Sequence, residues 1–168
     1  MTTGTTVVQE FTDIFRTEHR AVRDLLLELV DAFRGRDPER ARSLISAIAA
    51  ATGPHFRYEE EAMYPQLVDI FGDAYVDKLL ADHDGAIRNA RELLDLAGNS
   101  VLTAEQADRG VELTRQILPH VSDCDGLSIM VETLPEEAVG RILTARRAAR
   151  AAGLDLLTWA ATERDRGA

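Results

Sequence analysis

The chain has little that could crosslink it or hold it in a membrane. Its 168 residues include a single cysteine, Cys124, so no disulfide can form within it, which is typical of proteins from a reducing compartment. No apolar run approaches the roughly 20 residues of a membrane span. The first residues, MTTGTTVVQEFTDIF, lack the basic and apolar regions of a signal peptide. These features predict a cytoplasmic protein that does not associate with membranes.

The chain is also short of positive charge. It has 19 lysine and arginine residues against 29 acidic residues, for a formal net charge of -10. A nucleic acid backbone would be repelled by this charge, so we expect no nucleic acid partner. The hydrophobic fraction of 45% and the five prolines indicate a folded protein. The length fits one compact bundle rather than two full domains.

Apolar residues recur at steps of three and four along four segments, which predicts four amphipathic helices. Their expected bounds are about 7–34, 38–70, 73–97 and from 104 onward. Gly53 and Pro54 predict a kink or break in the second helix, with resumption at His55. Because only short turns join the four segments, the fold class is predicted to be all-α, an up-down antiparallel four-helix bundle.

Further helices are predicted beyond the bundle. Thr133 and Glu136 have the spacing of a capping box, and a short apolar segment follows a break at Gly153. The chain is therefore expected to consist of a bundle over residues 1–130 and a C-terminal helical extension over 131–168. The extension would pack on the bundle or on a second subunit, and in the second case the protein would be a homodimer.

The four histidines are the feature that demands an explanation. His19, His55, His83 and His120 lie one on each bundle helix, and each falls on the apolar stripe. Leaving an imidazole buried without a partner costs about 1–3 kcal/mol, and a shared metal would satisfy all four. A metal-free bundle, in which each histidine is hydrogen-bonded separately, is the other explanation that the pattern allows.

Carboxylates at fixed spacings from these histidines favour the metal. Glu59 follows His55 by four residues and so shares its helical face, whereas Glu60 and Glu61 are expected to be solvated. After His120, helical geometry favours Cys124 at the fourth position, and the preference of iron for oxygen ligands favours Asp125 at the fifth. Imidazoles with carboxylates fit a pair of irons better than structural zinc.

With these residues the sequence resembles the hemerythrin-like family of cation-binding helical bundles. The resemblance covers about residues 8–130 and is carried by TEHRAV, HFRYEEEAMYP, LLADHDGAI, and His120 with Asp125. It implies two non-heme iron ions with an oxo or hydroxo bridge, and Glu59 and Asp125 as bridging carboxylates. Members of the family bind oxygen reversibly, sense oxygen or iron, or react with peroxide or nitric oxide.

The sequence departs from the oxygen carriers of that family on the third helix. Where they have a second histidine, four residues after His83, this chain has Ile87, which cannot bind a metal. The missing ligand could be replaced by water, by a substrate or by Tyr58, and Tyr58 could equally be a core residue that hydrogen-bonds a ligand. We therefore expect redox chemistry on a small oxygen species, foremost the decomposition of hydrogen peroxide. The alternative is a protein that binds or senses O2, NO or iron without turnover.

Overall fold

The computed structural model describes residues 4–166. The regular secondary structure in this part of the chain is entirely helical, with turns between the helices and no strand. The prediction of an all-α fold is therefore confirmed. The helices are α1 (Val7–Arg34), α2 (Pro38–Tyr58), a π-helical turn (Glu59–Met63), α3 (Tyr64–Phe71), α4 (Asp73–Ala97), α5 (Ala104–Asp125), α6 (Ser128–Val131), α7 (Glu136–Ala152) and α8 (Leu156–Thr162).

Side-chain caps fix where the bundle helices begin. The Thr6 hydroxyl accepts from the backbone N–H of Gln9, and the Gln9 side chain accepts from the backbone N–H of Thr6, which forms a reciprocal capping box. Thr103 begins α5 in the same way. Asp37 caps α2 and is followed by Pro38 in the first turn. These caps set the starts of α1, α2 and α5, whereas α4, which carries His83, begins at Asp73 after Gly72 without a side-chain cap.

Helices α1, α2, α4 and α5 form the bundle, in which α1 packs on α2 and α5 while α4 packs on α5 and α2. One apolar cluster contains Phe11 and Phe15, and a second contains Leu29 and Phe33. On α1, His19 lies between these two clusters. The histidines therefore occupy a polar level within an otherwise apolar core.

Of the kink or break predicted at Gly53 and Pro54, the break does not occur. Helix α2 continues through both residues to Tyr58, and the helix type changes only at Glu59. A Cβ atom on Gly53 would lie 2.3 Å from the carbonyl oxygen of Leu154 and 2.7 Å from the backbone nitrogen of Leu156. The glycine is needed here because the C-terminal segment crosses directly over α2 at this point.

The C-terminal helices cover the bundle. Val139 and Ile142 of α7 join the apolar cluster of Phe11, and Trp159 of α8 packs in a cluster with Ile87. Gly153 ends α7 in the left-handed conformation, with φ of 67°, which agrees with the break predicted there.

The capping box predicted for α7 does not form. The Thr133 hydroxyl donates instead to the carbonyl of Met130, at 2.7 Å, and α7 begins at Glu136, directly after Pro135. The short helix α6 ends at Val131, two residues before Thr133. The Thr133 side chain therefore hydrogen-bonds the C-terminal end of α6 and does not cap the N-terminus of α7. None of the helices within residues 4–166 has an apolar stretch long enough to cross a membrane.

Substituting Gly53 by alanine should destabilise the protein. The added methyl group would overlap the backbone of the crossing segment, and such overpacking typically costs about 1–3 kcal/mol. Urea unfolding followed by circular dichroism measures the change. Gly140→Ala in α7 is the matched control, because a Cβ there meets nothing within 4 Å and alanine should raise stability by roughly 0.5–1 kcal/mol. Equal effects of the two substitutions would contradict the packing explanation.

Candidate metal centre

The four histidines meet inside the bundle around one carboxylate. Glu59 is completely buried, and none of the four histidines is more than 8% exposed. The rings form two perpendicular pairs, with centroids 4.6 Å apart for His19 and His55 and 4.8 Å apart for His83 and His120. All four histidines are therefore buried, as their positions on the apolar stripes predict.

Glu59 presents one carboxylate oxygen to each side of this centre. Its Oε1 lies 2.7 Å from His55 Nε2 and 3.7 Å from His19 Nε2. Its Oε2 lies 3.1 Å from His83 Nε2. Burial alone would raise the pKa of Glu59, but the charges and hydrogen bonds of His55 and His83 hold it well below its usual range. The centre therefore contains a buried negative charge.

Two groups of side chains have the spacing of metal ligands, and both include Glu59. His19 and Cys124 complete one group, and His83 and His120 complete the other, while His55 belongs to neither group and contacts Glu59 Oε1 instead. Within each group the ligand atoms all lie within 4.8 Å of one another. Imidazole and carboxylate ligands suit iron and related divalent metals, while the thiol adds a softer ligand to the first group.

His120 supports the assignment of a metal site to the second group. Its Nε2 is buried and has no hydrogen-bond partner among residues 4–166. A buried polar atom left in this state costs about 1–3 kcal/mol. A metal ion beside Glu59 and His83 would accept the Nε2 lone pair, so the residues present fit a bound cation.

The two ligand candidates that follow His120 have different surroundings. Cys124 is buried, and its thiol donates to Glu59 Oε1 at 3.0 Å. Asp125 lies at the edge, where its side chain is 33% exposed and its Oδ1 is 3.9 Å from His19 Nδ1. That oxygen is itself buried and has no hydrogen-bond partner among residues 4–166, so Asp125 also remains a candidate. Because α5 stays helical through both positions, the fourth residue after His120 shares its face and the fifth does not.

The π-helical turn brings a tyrosine to the centre that spacing alone does not predict. In a straight α-helix five residues rotate a side chain by about 140° from the starting face. Here the backbone N–H of Tyr64 donates to the carbonyl of Glu59, five residues earlier. The Tyr64 hydroxyl consequently donates to Glu59 Oε2 and lies 3.1 Å from His83 Nε2. Burial raises the pKa of Tyr64 well above its usual value, so the phenol stays protonated.

Tyr58 lies on the opposite side of His55 from Glu59. Its hydroxyl donates to Glu18 Oε2 and lies 3.1 Å from His55 Nδ1. Both contacts are made behind the imidazole, whose Nε2 faces Glu59. The structure therefore brings Tyr64, rather than Tyr58, into contact with the carboxylate at the centre.

Each imidazole is also held from behind by an acceptor at Nδ1. These contacts join His19 to the carbonyl of Phe15 at 2.7 Å, His55 to Glu18 at 2.5 Å, His83 to Glu60 at 2.8 Å and His120 to Asp82 at 3.3 Å. Such partners orient a histidine so that Nε2 points at the metal. Spacing within single helices does not predict this layer; the one signal in the sequence is that Glu18 and Asp82 each directly precede a histidine.

The expectation that Glu60 is solvated is wrong. Its side chain is only 9% exposed, because His83 contacts it on one side and Arg164 covers it on the other. Glu61 is 46% exposed, as expected. The difference follows from these two contacts, since Glu60 faces α4 and the C-terminal segment while Glu61 does not.

A small cavity of about 20 Å³ lies among His19, His55 and His120, with Thr52, Phe56 and two valines completing its wall. This volume is sufficient for one water-sized molecule. The cavity can thus hold a molecule of about the size of water beside the histidines.

A helical bundle with paired clusters of histidine and carboxylate ligands in its interior defines a class of metal-binding helical proteins. The family model of the hemerythrin HHE cation binding domain matches residues 10–127. The chain therefore belongs to this family. Comparisons with the curated proteins and with the solved structures gave no match. All the candidate ligands lie within the matched range, and helices α7 and α8 lie beyond it.

Metal affinity should rise with pH. Burial lowers the pKa of His55, but Glu59 and Glu18 outweigh this effect and raise it to about 10. His55 is therefore protonated at neutral pH in the metal-free protein, and a metal that takes His55 as a ligand has to displace that proton. Between about pH 6 and 9 the apparent affinity should increase about tenfold per pH unit for each displaced proton. Competition with a chelator of known affinity measures this, and an affinity independent of pH would contradict it.

Proposed function

We propose that the chain binds two iron ions on either side of Glu59 and reacts there with a small oxygen species, decomposing hydrogen peroxide. The observation that carries the proposal is the pair of ligand groups that share the Glu59 carboxylate. A carboxylate with one oxygen directed to each group is the arrangement that a bridging ligand requires. Family membership supports iron as the metal.

Iron, when bound, would supply the redox chemistry that this reaction needs. In the balanced reaction one molecule of hydrogen peroxide is oxidised to O2 while a second is reduced to two molecules of water. No organic reductant is required. The small volume of the cavity beside His19, His55 and His120 supports a substrate of this size.

The chain's own contribution would be to hold protons and to exclude bulky molecules. The Tyr64 hydroxyl remains protonated and lies against Glu59 and His83, so it can donate a hydrogen bond or a proton to a molecule at the centre. Burial raises the pKa of the Cys124 thiol well above its usual value. Cys124 would therefore lose its proton only on binding the metal.

A larger pocket supplies a route of approach from solvent. It has a volume of about 620 Å³, lies between α1, α2 and α7, and reaches His55 and Tyr58. Its wall is rich in alanine, and Glu18 and Arg146 form part of it. A small uncharged molecule such as hydrogen peroxide could approach His55 and Tyr58 through this pocket, whose wall is mostly apolar.

Oxygen evolution from hydrogen peroxide tests the proposal. The iron-loaded protein should release O2 over many turnovers, at one O2 for every two molecules of peroxide consumed. Glu59→Ala should bind less than half the iron of the parent and lose this activity, because both ligand groups lose their shared member. Glu61→Ala, on the exposed side of the same turn, is the matched control and should retain both.

A single stoichiometric oxidation by peroxide would overturn the enzymatic proposal. It would instead favour a protein that binds or senses O2, NO or iron. Less than one tightly held metal ion per chain in the parent protein would overturn the metal centre itself.

Cys124 and Asp125 should contribute differently to the loaded protein. Because Cys124 belongs to a ligand group and Asp125 lies at the edge, Cys124→Ser should remove sulfur-to-metal charge transfer from the absorption spectrum of the cobalt-loaded protein. Asp125→Asn should leave that absorption in place and lower metal affinity by less than about tenfold. The opposite pattern, with no sulfur band in the parent and loss of one metal in Asp125→Asn, would identify Asp125 as the ligand.

A further inference from the structure

We propose that Arg146 of α7 and Arg164, which follows α8, are positioning residues for the metal centre. Each would hold a carboxylate that in turn holds one histidine ligand. The inference rests on the proposed metal site. Both arginines lie beyond residue 127, where the match to the family ends, so the family assignment gives them no role.

Arg164 forms a bidentate contact with the Glu60 carboxylate. Its Nη2 lies 2.8 Å from Glu60 Oε1 and its Nε lies 3.1 Å from Oε2. The Arg164 side chain is only 2% exposed, and Asp84 contacts its remaining terminal nitrogen at 2.7 Å. Glu60 Oε1 then lies 2.8 Å from His83 Nδ1. A planar guanidinium in this arrangement fixes the plane of the carboxylate and not only its charge.

Arg146 makes the corresponding contact on the other side of the centre. Its Nε donates to Glu18 Oε1. The second oxygen of Glu18 lies 2.5 Å from His55 Nδ1 and accepts a hydrogen bond from Tyr58. Both oxygens of this half-buried carboxylate are thus engaged, and rotation of the carboxylate would break at least one contact.

The two arginines act on opposite halves of the centre. The chain through Arg146 ends at His55, which faces Glu59 Oε1, and the chain through Arg164 ends at His83, which faces Oε2. The other two histidines have weaker contacts behind them. His19 contacts a backbone carbonyl, and the nearby Asp125 lies 3.9 Å both from His19 Nδ1 and from Nε of the half-exposed Arg16. The lysine behind His120, Lys78, is 54% exposed and makes one hydrogen bond to Asp82.

The physical consequence concerns the orientation of the imidazole rings. Loss of a direct partner of a ligating histidine typically lowers metal affinity by about 10–100-fold. An arginine that acts through such a partner should account for the lower part of this range. Since each arginine holds a different histidine, the two effects should be separable residue by residue.

Cobalt(II) bound to the full-length chain is the probe for the test. It shifts the resonance of each histidine Nδ1–H proton in the NMR spectrum, and chelator competition gives its affinity. Arg164→Met should lower cobalt affinity about tenfold and speed solvent exchange of the His83 Nδ1–H proton while leaving that of His55 unchanged. Arg146→Met should do the reverse. Arg147→Met is the matched control, because Arg147 is exposed on the same helix and contacts Thr144 rather than a carboxylate of the centre.

Lysine variants separate positioning from folding. If either methionine variant unfolds, Arg146→Lys and Arg164→Lys are the substitutes, because they keep the positive charge and should fold. Lysine lacks the planar guanidinium group. These variants should therefore show the same histidine-specific change in proton exchange and cobalt affinity, but a smaller one. Each variant's thermal unfolding is followed in the metal-free state for comparison. Loss of affinity that merely follows loss of stability, with both histidines affected alike, would overturn the proposal.

The parent protein distinguishes this proposal from the proposed function. Two bound cobalt ions, together with variants whose affinity and proton exchange stay within twofold of the parent, would overturn the positioning role and leave the metal centre intact. A parent that takes up no metal at all would overturn both.

Discussion

The buried charge of Glu59 is the constraint on which the rest of the structure depends. A carboxylate in an apolar interior is costly unless opposite charge and hydrogen bonds surround it. Here the surroundings are arranged in layers. Imidazoles contact the carboxylate, further carboxylates contact the imidazoles, and arginines contact two of those carboxylates. The alternation compensates each buried charge locally, which a protein of net charge -10 could not achieve by its overall composition.

Helix caps and apolar periodicity predicted those features of the site that depend on a single helix. Capping residues set the start of α1 and α5, and the apolar periodicity placed His19 and its counterparts inside. Spacing left Cys124 and Asp125 as competing candidates, because four and five residues differ by only one step of helical rotation. Helix α5 remains regular to its end, so Cys124 shares the face of His120, while Asp125 lies one step further round the helix.

The remaining part depends on contacts between distant segments and could not be read from spacing. Nothing in EEEAM marks a π-helical turn, so Tyr64 was missed and Glu60 was assigned to solvent. The break expected at Pro54 did not occur. A proline removes only one backbone N–H group from the helix, and contacts with neighbouring helices on several sides hold α2 in place. Gly53 resembles a helix breaker in the sequence, yet its role is set by a segment about 100 residues later.

The division between the matched family region and the extension has a chemical meaning in this protein. Every candidate ligand lies within residues 10–127, whereas the outermost cations come from α7 and the residues after α8. An extension of this kind can alter the environment of a metal site without changing any ligand. It offers a means by which proteins with the same ligand set could differ in reactivity.

Because Arg164 lies close to the end of the sequence, it is translated after all the other residues of the site. Chains emerge from the ribosome at about 5–20 residues per second, and roughly 40 residues separate Cys124 from Arg164. For several seconds a nascent chain therefore contains every candidate ligand while the guanidinium that covers Glu60 has yet to be translated. The contact between Arg164 and Glu60 can therefore form only after every candidate ligand has been synthesised, which makes it one of the last contacts of the site to be completed.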